Sequence, residues 1–409
     1  MLLNKGMLRK LMTSKFDLIT RVISVLFGFF ILIPFKFKPY LVVLVLLWSI
    51  ISIIVRSHKI VFSLKKTIPI VIVFIIYLIS LFNTTNLERG FILLGRMSPL
   101  LIIPISLSVL SQNIVSKFFH FFSKSFIISC TIYSILIFYY LFQLGSLTGL
   151  HTLGYGYSYI TFEFSGLNEH PIYISSYFGT ALLLLLFKTF NSKKTTLVLF
   201  FIIFSGLLIL SRKGSVLSFL FCFLLYYFMN NNIRTIIKIV PILLVFTAVF
   251  FMIPEIRNRF LEIIDSSNFV SKNQTSTSIR FTIWTNTIDL IKNAPFFGYG
   301  VGDVQDVDNN NYIKKGLVEF SKNKYNAHNQ YFQIGLVSGI MGLMIFLYSQ
   351  LALFINVFKK KNFQFAMVIL FFFILFMTES YLERQNGIIF YSMIMSLFIY
   401  SNSNVKDAK

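Results

Sequence analysis

Few residues of this chain are equipped for chemistry, and they fall in five short stretches far apart in sequence. His328 and Asn329 open "AHNQYFQIGLVSGIMGL" (327–343). Arg212 lies in "LSRKGS" and Arg280 in "TSTSIRFTIWTNTIDLIKNAP". Glu379, Glu383 and Arg384 lie in "TESYLERQNG", and Asn168, Glu169 and His170 in "GLNEHPIY". A guanidinium is always charged and offers planar donors to a phosphate or carboxylate. An imidazole exchanges a proton near neutral pH. Gathered at one place, such groups bind an anion and move a proton. Whether they gather depends on the elements between them.

Those elements are membrane helices. The 409 residues are 56% hydrophobic and 18% aromatic but only 13% charged, and 50 of them are Phe. A soluble fold cannot cover so much apolar surface. Apolar runs long enough to cross a bilayer recur from end to end, so an all-α polytopic membrane protein of about twelve transmembrane helices is expected. The runs lie near 18–34, 40–55, 67–82, 91–110, 125–144, 171–187, 195–210, 214–229, 235–253, 329–357, 363–379 and 387–401. Two connections are long, 145–170 and 254–328. The expected organisation is a bundle of nine spans over 1–253, a large loop over 254–328, and three spans with a tail over 329–409. Cys130 and Cys222 fall inside apolar runs, so no disulfide framework is expected. The first run lacks a small-residue cleavage site and reads as an uncleaved span.

Charge orients the bundle. With the N-terminus inside, the N-terminal segment, the inward connections and the tail carry 21 Lys and Arg, and the short outward connections carry 6. This is the positive-inside asymmetry. Of 15 Asp and Glu, only Asp17 and Asp407 face inward. The net charge of +22 is therefore a topology signal, and nucleic acid is not an expected partner. Both termini are expected in the cytoplasm, and all five polar stretches meet the outer face together with the 254–328 loop. In that loop Phe281, Trp284, Ile288 and Ile291 recur at helical spacing. With Ser278 as N-cap and Pro295 as stop, they predict an amphipathic interfacial helix anchored by Trp284. The following "FFGYGVGDVQDVDNNN" reads as a turn-rich polar stretch whose acids, Asp306 and Asp308 among them, are solvated. It lacks the lysine of a phosphate loop and the closing glutamate of a calcium loop. No zinc spacing appears, and neither metal nor cofactor is expected.

Every polar residue named above also has a structural use. Arg212 in a tight turn can snorkel to lipid phosphates. Arg280 can pair with Asp289. Glu379, Glu383 and Arg384 can tie two helix ends together, the reading favoured for Glu383. His170 precedes Pro171, a favourable first helical residue, and can simply shape the helix start.

Four motifs, in order, resemble the O-antigen ligase and O-antigen polymerase superfamily. "HNQYFQIGLVSGIMG" fits His–Asn, nine residues, Gly, two residues, Gly. "SIRFTIWTNTIDLIKNAPFFGYGVGD" is similar to the family's Arg and Trp followed by Pro-x-x-Gly-x-Gly. "LSRKGS" resembles its Ser–Arg–x–Gly turn, and "ESYLERQNG" the segment before its last span. The likeness covers residues 160–400, and the first five spans match only as generic membrane helices. The resemblance implies a multi-pass protein of the bacterial inner membrane with one large periplasmic loop. It implies transfer of a glycan from undecaprenyl diphosphate to an acceptor hydroxyl on a glycan, on lipid A core or on a protein, without metal. Carried over, it makes His328, Arg280 and Arg212 catalytic. Asn329, His170, Asn168, Glu379, Arg384 and Trp284 are then expected to line the substrate site. Membrane lipid and other envelope glycan assembly proteins are the further partners implied. The motifs do not separate polymerase from ligase, and a protein O-oligosaccharyltransferase is the less favoured member. A polysaccharide or lipid-linked glycan transporter is the alternative from another class. Such proteins carry midplane charges and internal repeats, whereas here Arg96 is the main charge within a span and no repeat is visible.

Overall fold

A computed structural model describes residues 5–56, 63–143, 167, 169–187, 189–230, 233–261 and 275–401. The described residues are helical, with no strand. In chain order the helices are α1 (Lys5–Gly28), α2 (Lys38–Arg56), α3 (Leu64–Ser80), α4 (Leu87–Met97), α5 (Pro99–Ser108) and α6 (Gln112–Gln143). Then come α7 (Pro171–Leu186), α8 (Lys193–Leu210), α9 (Lys213–Met229), α10 (Ile233–Phe251), α11 (Pro254–Leu261) and α12 (Ser276–Lys292). The last are α13 (Val304–Lys314), α14 (Val318–Asn323), α15 (Gln330–Lys359), α16 (Phe363–Thr378) and α17 (Gln385–Ser401). Among the described residues six helical stretches are long and apolar enough to cross a bilayer: Phe35–Ile54, Leu64–Asn83, Leu87–Ser108, Gln112–Leu141, Lys193–Leu210 and Gln330–Lys359. Four shorter apolar helices, Pro171–Leu186, Lys213–Met229, Val240–Phe251 and Phe363–Thr378, coincide with further expected spans. Residues 111–124, read as an inward connection, are instead mostly the first turns of α6.

Packing divides the chain into two units: Met1–Val71 with Pro99–Gly206 and Ile389–Lys409, and Ile72–Ser98 with Leu207–Ile388. In the first unit α1 and α6 run parallel. Asp17 pairs with Lys117 at 3.1 Å, Arg21 lies 4.9 Å over the Phe121 ring, and the Ser129 hydroxyl donates to the Gly28 carbonyl at 2.8 Å. A side chain at Gly28 would collide with Ser125, so glycine sets how closely the helices approach. Rings fill the middle of this unit. Phe30 meets Tyr177 edge-on at 5.5 Å, and Phe126 meets Phe390 at 5.3 Å. Beside them Lys38 and Glu169 form an ion pair that is 1% and 0% exposed. The Lys38 ammonium faces the Phe30 ring at 4.3 Å.

In the second unit α16 runs antiparallel to both α9 and α15. Gly214 abuts Thr378, and the Tyr331 hydroxyl donates to the Phe373 carbonyl at 2.9 Å. Helix α15 is broken at Gly339, whose φ of 65° and ψ of −169° are not helical. The turn after α12 enters that break. Tyr299 N–H donates to Leu336 O at 2.9 Å and Gly300 N–H to Val337 O at 3.0 Å. Gly298 and Gly300 have φ of 78° and 86°, a region glycine occupies without strain. The motif glycines thus build a turn locked into a broken helix. The three glycines of the His–Asn stretch, Gly335, Gly339 and Gly342, do not share one role. Gly335 does abut Ile291 and Gly342 abuts Ile76, but Gly339 is the break itself.

Three expectations for the 275–323 segment change. The N-cap of α12 is Thr275, whose hydroxyl accepts from Ser278 N–H, one turn before the expected cap. The buried face of α12 is Ile283, Asn286, Thr287 and Leu290, beside the expected apolar one, because α12 packs against α13 and α15. Phe281 and Ile288 stay exposed, while Trp284 meets Phe332 edge-on at 6.2 Å. The polar stretch after it is turn over 296–303, as expected, and then helix α13, and its acids are not simply solvated. Asp303 accepts from Thr85 N–H at 2.6 Å, the Thr85 hydroxyl at 3.0 Å and Asn86 N–H at 2.9 Å. Asp306 pairs with Arg89 at 3.1 Å, and Asp308 is buried. Residues 83–89 thereby clamp the turn that locks α15, a role for the early chain that no motif announces.

Candidate active site

Glu379 organises the site. It follows the last residue of α16 in extended backbone and is 8% exposed. Its Oε2 lies 3.1 Å from His328 Nδ1 and 3.6 Å from Arg280 Nη2. Arg212 is near enough to act electrostatically on Arg280. The three residues expected to be catalytic therefore share one neighbourhood of the second unit, two of them on the same carboxylate oxygen. Burial pulls the Arg280 guanidinium below its ordinary value; Glu379 opposes this and Arg212 adds to it. The side chains of His328 and Arg280 remain 23% and 24% exposed, so the cluster opens outward from a buried acid.

Local structure aims each group. His328 has φ of 44°, a left-handed conformation that costs a non-glycine residue on the order of 1 kcal/mol. Its N–H donates to Asn326 Oδ1 at 3.1 Å. With Nδ1–H donating to Glu379, the imidazole keeps Nε2 as its free acceptor. Asn329 caps α15. Its Oδ1 accepts from Tyr331 and Phe332 N–H, its Nδ2 donates to Met377 O at 3.1 Å, and its own N–H donates to Ser380 Oγ at 3.2 Å. Both polar atoms of that side chain are thus engaged in capping α15 and tying it to the end of α16. Arg280 is in the second turn of α12. Arg212 sits at the N-cap position of α9, after Ser211 at φ 49°. Next to it Lys213 donates to Thr277 at 3.1 Å, which ties that turn to the start of α12.

The remaining candidates divide. Trp284, one turn beyond Arg280, packs on Phe332 and has a buried Nε1 with no partner. Arg384 is exposed. Arg280 does not pair with Asp289, which is held by Lys315 at 2.6 Å. Glu383 does not join Glu379 and Arg384 in one network. It accepts from Tyr77 and faces Arg96, and burial pushes its carboxyl up to about 6. A second polar cluster thus backs the first. Gln330 joins it, since Leu382 N–H donates to Gln330 Oε1 at 2.7 Å. Tyr77 is unremarked in an apolar run, and nothing in the sequence singles it out. His170 belongs to the first unit, where it caps α7 by accepting from Ile172 N–H at 3.4 Å. Asn168 lies outside the described residues. Among the described residues no group of three His, Cys, Asp or Glu side chains is placed to hold a metal ion.

Comparison with known proteins falls on the same region. A family model described as O-antigen ligase matches residues 197–347, a range that includes Arg212, Arg280 and His328. An uncharacterized protein of Haemophilus influenzae is 26% identical over 147 residues. The match takes in 33% of this chain and 37% of that relative, so the chain spans little more than a third of the relative's length.

Proposed function

We propose, from the likeness of residues 197–347 to the O-antigen ligase family, that the chain transfers a glycan from undecaprenyl diphosphate to an acceptor hydroxyl. The observation that carries the reading is the single carboxylate oxygen shared by His328 and Arg280 at 3.1 and 3.6 Å. In the reaction the acceptor oxygen attacks the anomeric carbon, the bond from that carbon to the diphosphate oxygen breaks, and the electron pair leaves with the lipid diphosphate. The acceptor's proton passes to His328 Nε2, and Glu379 stabilises the imidazolium that forms. Arg280 and Arg212 receive the diphosphate, whose charge grows as the bond breaks. Glu379 keeps Arg280 oriented before the donor arrives. A single displacement of this kind inverts the anomeric configuration. No step requires a metal.

We place the cluster on the periplasmic face of the inner membrane with both termini inside. The charge asymmetry of the connections supports that orientation. So does the direction of the helices, since parallel α1 and α6 and antiparallel α15 and α16 fit the alternation of twelve spans. The exposed Phe281 and Ile288 suit α12 to the interface.

Complementation of a deletion strain tests the function. Wild type is expected to turn single lipid-linked repeats into a ladder, or to move finished chains onto lipid A core or protein, and His328→Ala to do neither at equal membrane abundance. The first outcome defines a polymerase and the second a ligase. Repeats that fail to reach the outer face without the protein would replace transfer by transport.

A further inference from the structure

The first unit carries a groove that the transfer reaction does not use. It has a volume of 610 Å³ between α1 and the start of α6, and its lining includes Arg21, Asn113, Ser116, Lys117, His120 and Phe121. Its acid is Asp17, which pairs with Lys117 at 3.1 Å. Arg21 meets no carboxylate among the described residues; its guanidinium lies 4.9 Å over the Phe121 ring. Lys124 follows one turn after His120 and acts on it electrostatically. The charged groups facing the groove therefore sum to a net positive field around an uncompensated arginine.

The depth of the groove follows from the length of α6. The apolar stretch Gln112–Leu141 is 30 residues long. At 1.5 Å per residue it measures about 45 Å, against a hydrocarbon core of about 30 Å. Several turns must project into the headgroup layer. Lys117, His120 and Lys124 are at the N-terminal end, and residues 125–141 carry no charge, so the N-terminal end is the one that projects. Leu18 lines the groove, and with Val22 one turn further along α1 it presents an exposed apolar face, 61% and 50% exposed. A charged pocket at headgroup depth with an apolar continuation has the form of a phospholipid: a phosphodiester above, an acyl chain below.

We propose that this groove binds the headgroup of an anionic phospholipid, with Arg21 as the principal phosphate ligand and Lys117, released in part from Asp17, as the second. The full chain, purified in a neutral detergent, is titrated with phosphatidylglycerol and with phosphatidylcholine, and retained lipid is counted by native mass spectrometry. Phosphatidylglycerol is expected to be retained over phosphatidylcholine. Arg21→Gln should weaken retention about five-fold and the Arg21→Gln, Lys117→Gln pair about twenty-five-fold. Arg21→Lys should keep most of it, which separates lost charge from lost fold. Equal retention of the two lipids, or no change in the double variant, overturns the proposal. Displacement of the lipid by millimolar glycerol 3-phosphate also overturns it, because the groove would then read a soluble phosphate.

Discussion

Glu169 and Glu379 are both buried carboxylates that meet a cation, and their surroundings differ in one decisive respect. Glu169 pairs with Lys38, and both are sealed at 0% and 1% exposure beside the rings of Phe30 and Tyr177. The pair is shut away from solvent. That arrangement holds Lys38, at the start of α2, to the chain just before α7. Glu379 is shared. It meets Arg280 and His328 together, with Arg212 near enough to be felt, and its partners are about a quarter exposed. Positive groups outnumber the carboxylate and their outer edges reach solvent. The closed pair is sealed; the open cluster has cationic groups that reach solvent and can receive a diphosphate. Burial of an acid alone therefore says nothing about function. The count and exposure of its partners do.

Three substitutions break the comparison in different places. Arg280→Ala removes a donor from the open cluster and should lower transfer about a thousandfold, while thermal unfolding of the purified protein stays within a few degrees of wild type. Comparable transfer by this variant would refute the assignment. At the closed pair the damage should be to folding. Lys38→Met strands Glu169 in an apolar site and should cost about 3–5 kcal/mol, recovered largely when Glu169→Leu is added. Loss of stability in the single variant and its return in the double would be read from detergent unfolding curves. Equal stability of single variant and wild type would mean that Glu169 finds another partner.

A third acid sharpens the contrast. Asp308 is buried, its Oδ1 makes no hydrogen bond, and burial raises its pKa from 3.8 to about 7. Because the folded state favours the neutral carboxyl, this contribution to stability is fully present below pH 4 and lost as pH rises through about 7. Asp308→Asn should therefore match wild type at pH 4 and be more stable at pH 8 by on the order of 4 kcal/mol. A variant less stable at pH 8 would show that the charged carboxylate has a partner worth keeping.

Much of the site is legible in sequence because its motifs fix backbone geometry. The glycines of Pro-x-x-Gly-x-Gly and of the His–Asn stretch mark positive-φ positions at Gly298, Gly300 and Gly339, and only a few residues tolerate such positions. His328, Arg280 and Arg212 each adjoin such a motif. What stays hidden is pairing. Glu379 stands out as a candidate, but no spacing rule joins residue 379 to 328 across a helix pair. The capping role of Asn329 is also hidden, because a helix cap and a substrate contact use the same side-chain chemistry. The Tyr77–Glu383 bond and the clamp of Thr85 and Asn86 on Asp303 link residues more than 200 positions apart. The α12 face shifts because tertiary packing against α13 and α15 outweighs the apolar periodicity that the isolated helix displays.

The most direct test of the account uses purified protein, a polyprenyl-diphosphate-linked oligosaccharide and its acceptor, with His328→Ala beside wild type. Donor binding and release of free polyprenyl diphosphate are measured on the same samples. Wild type is expected to release polyprenyl diphosphate in step with an inverted glycosidic product. His328→Ala is expected to bind donor within a factor of about three of wild type, since the arginines remain, and to release none. Release by His328→Ala at the wild-type rate would contradict the assignment of His328 as the proton acceptor.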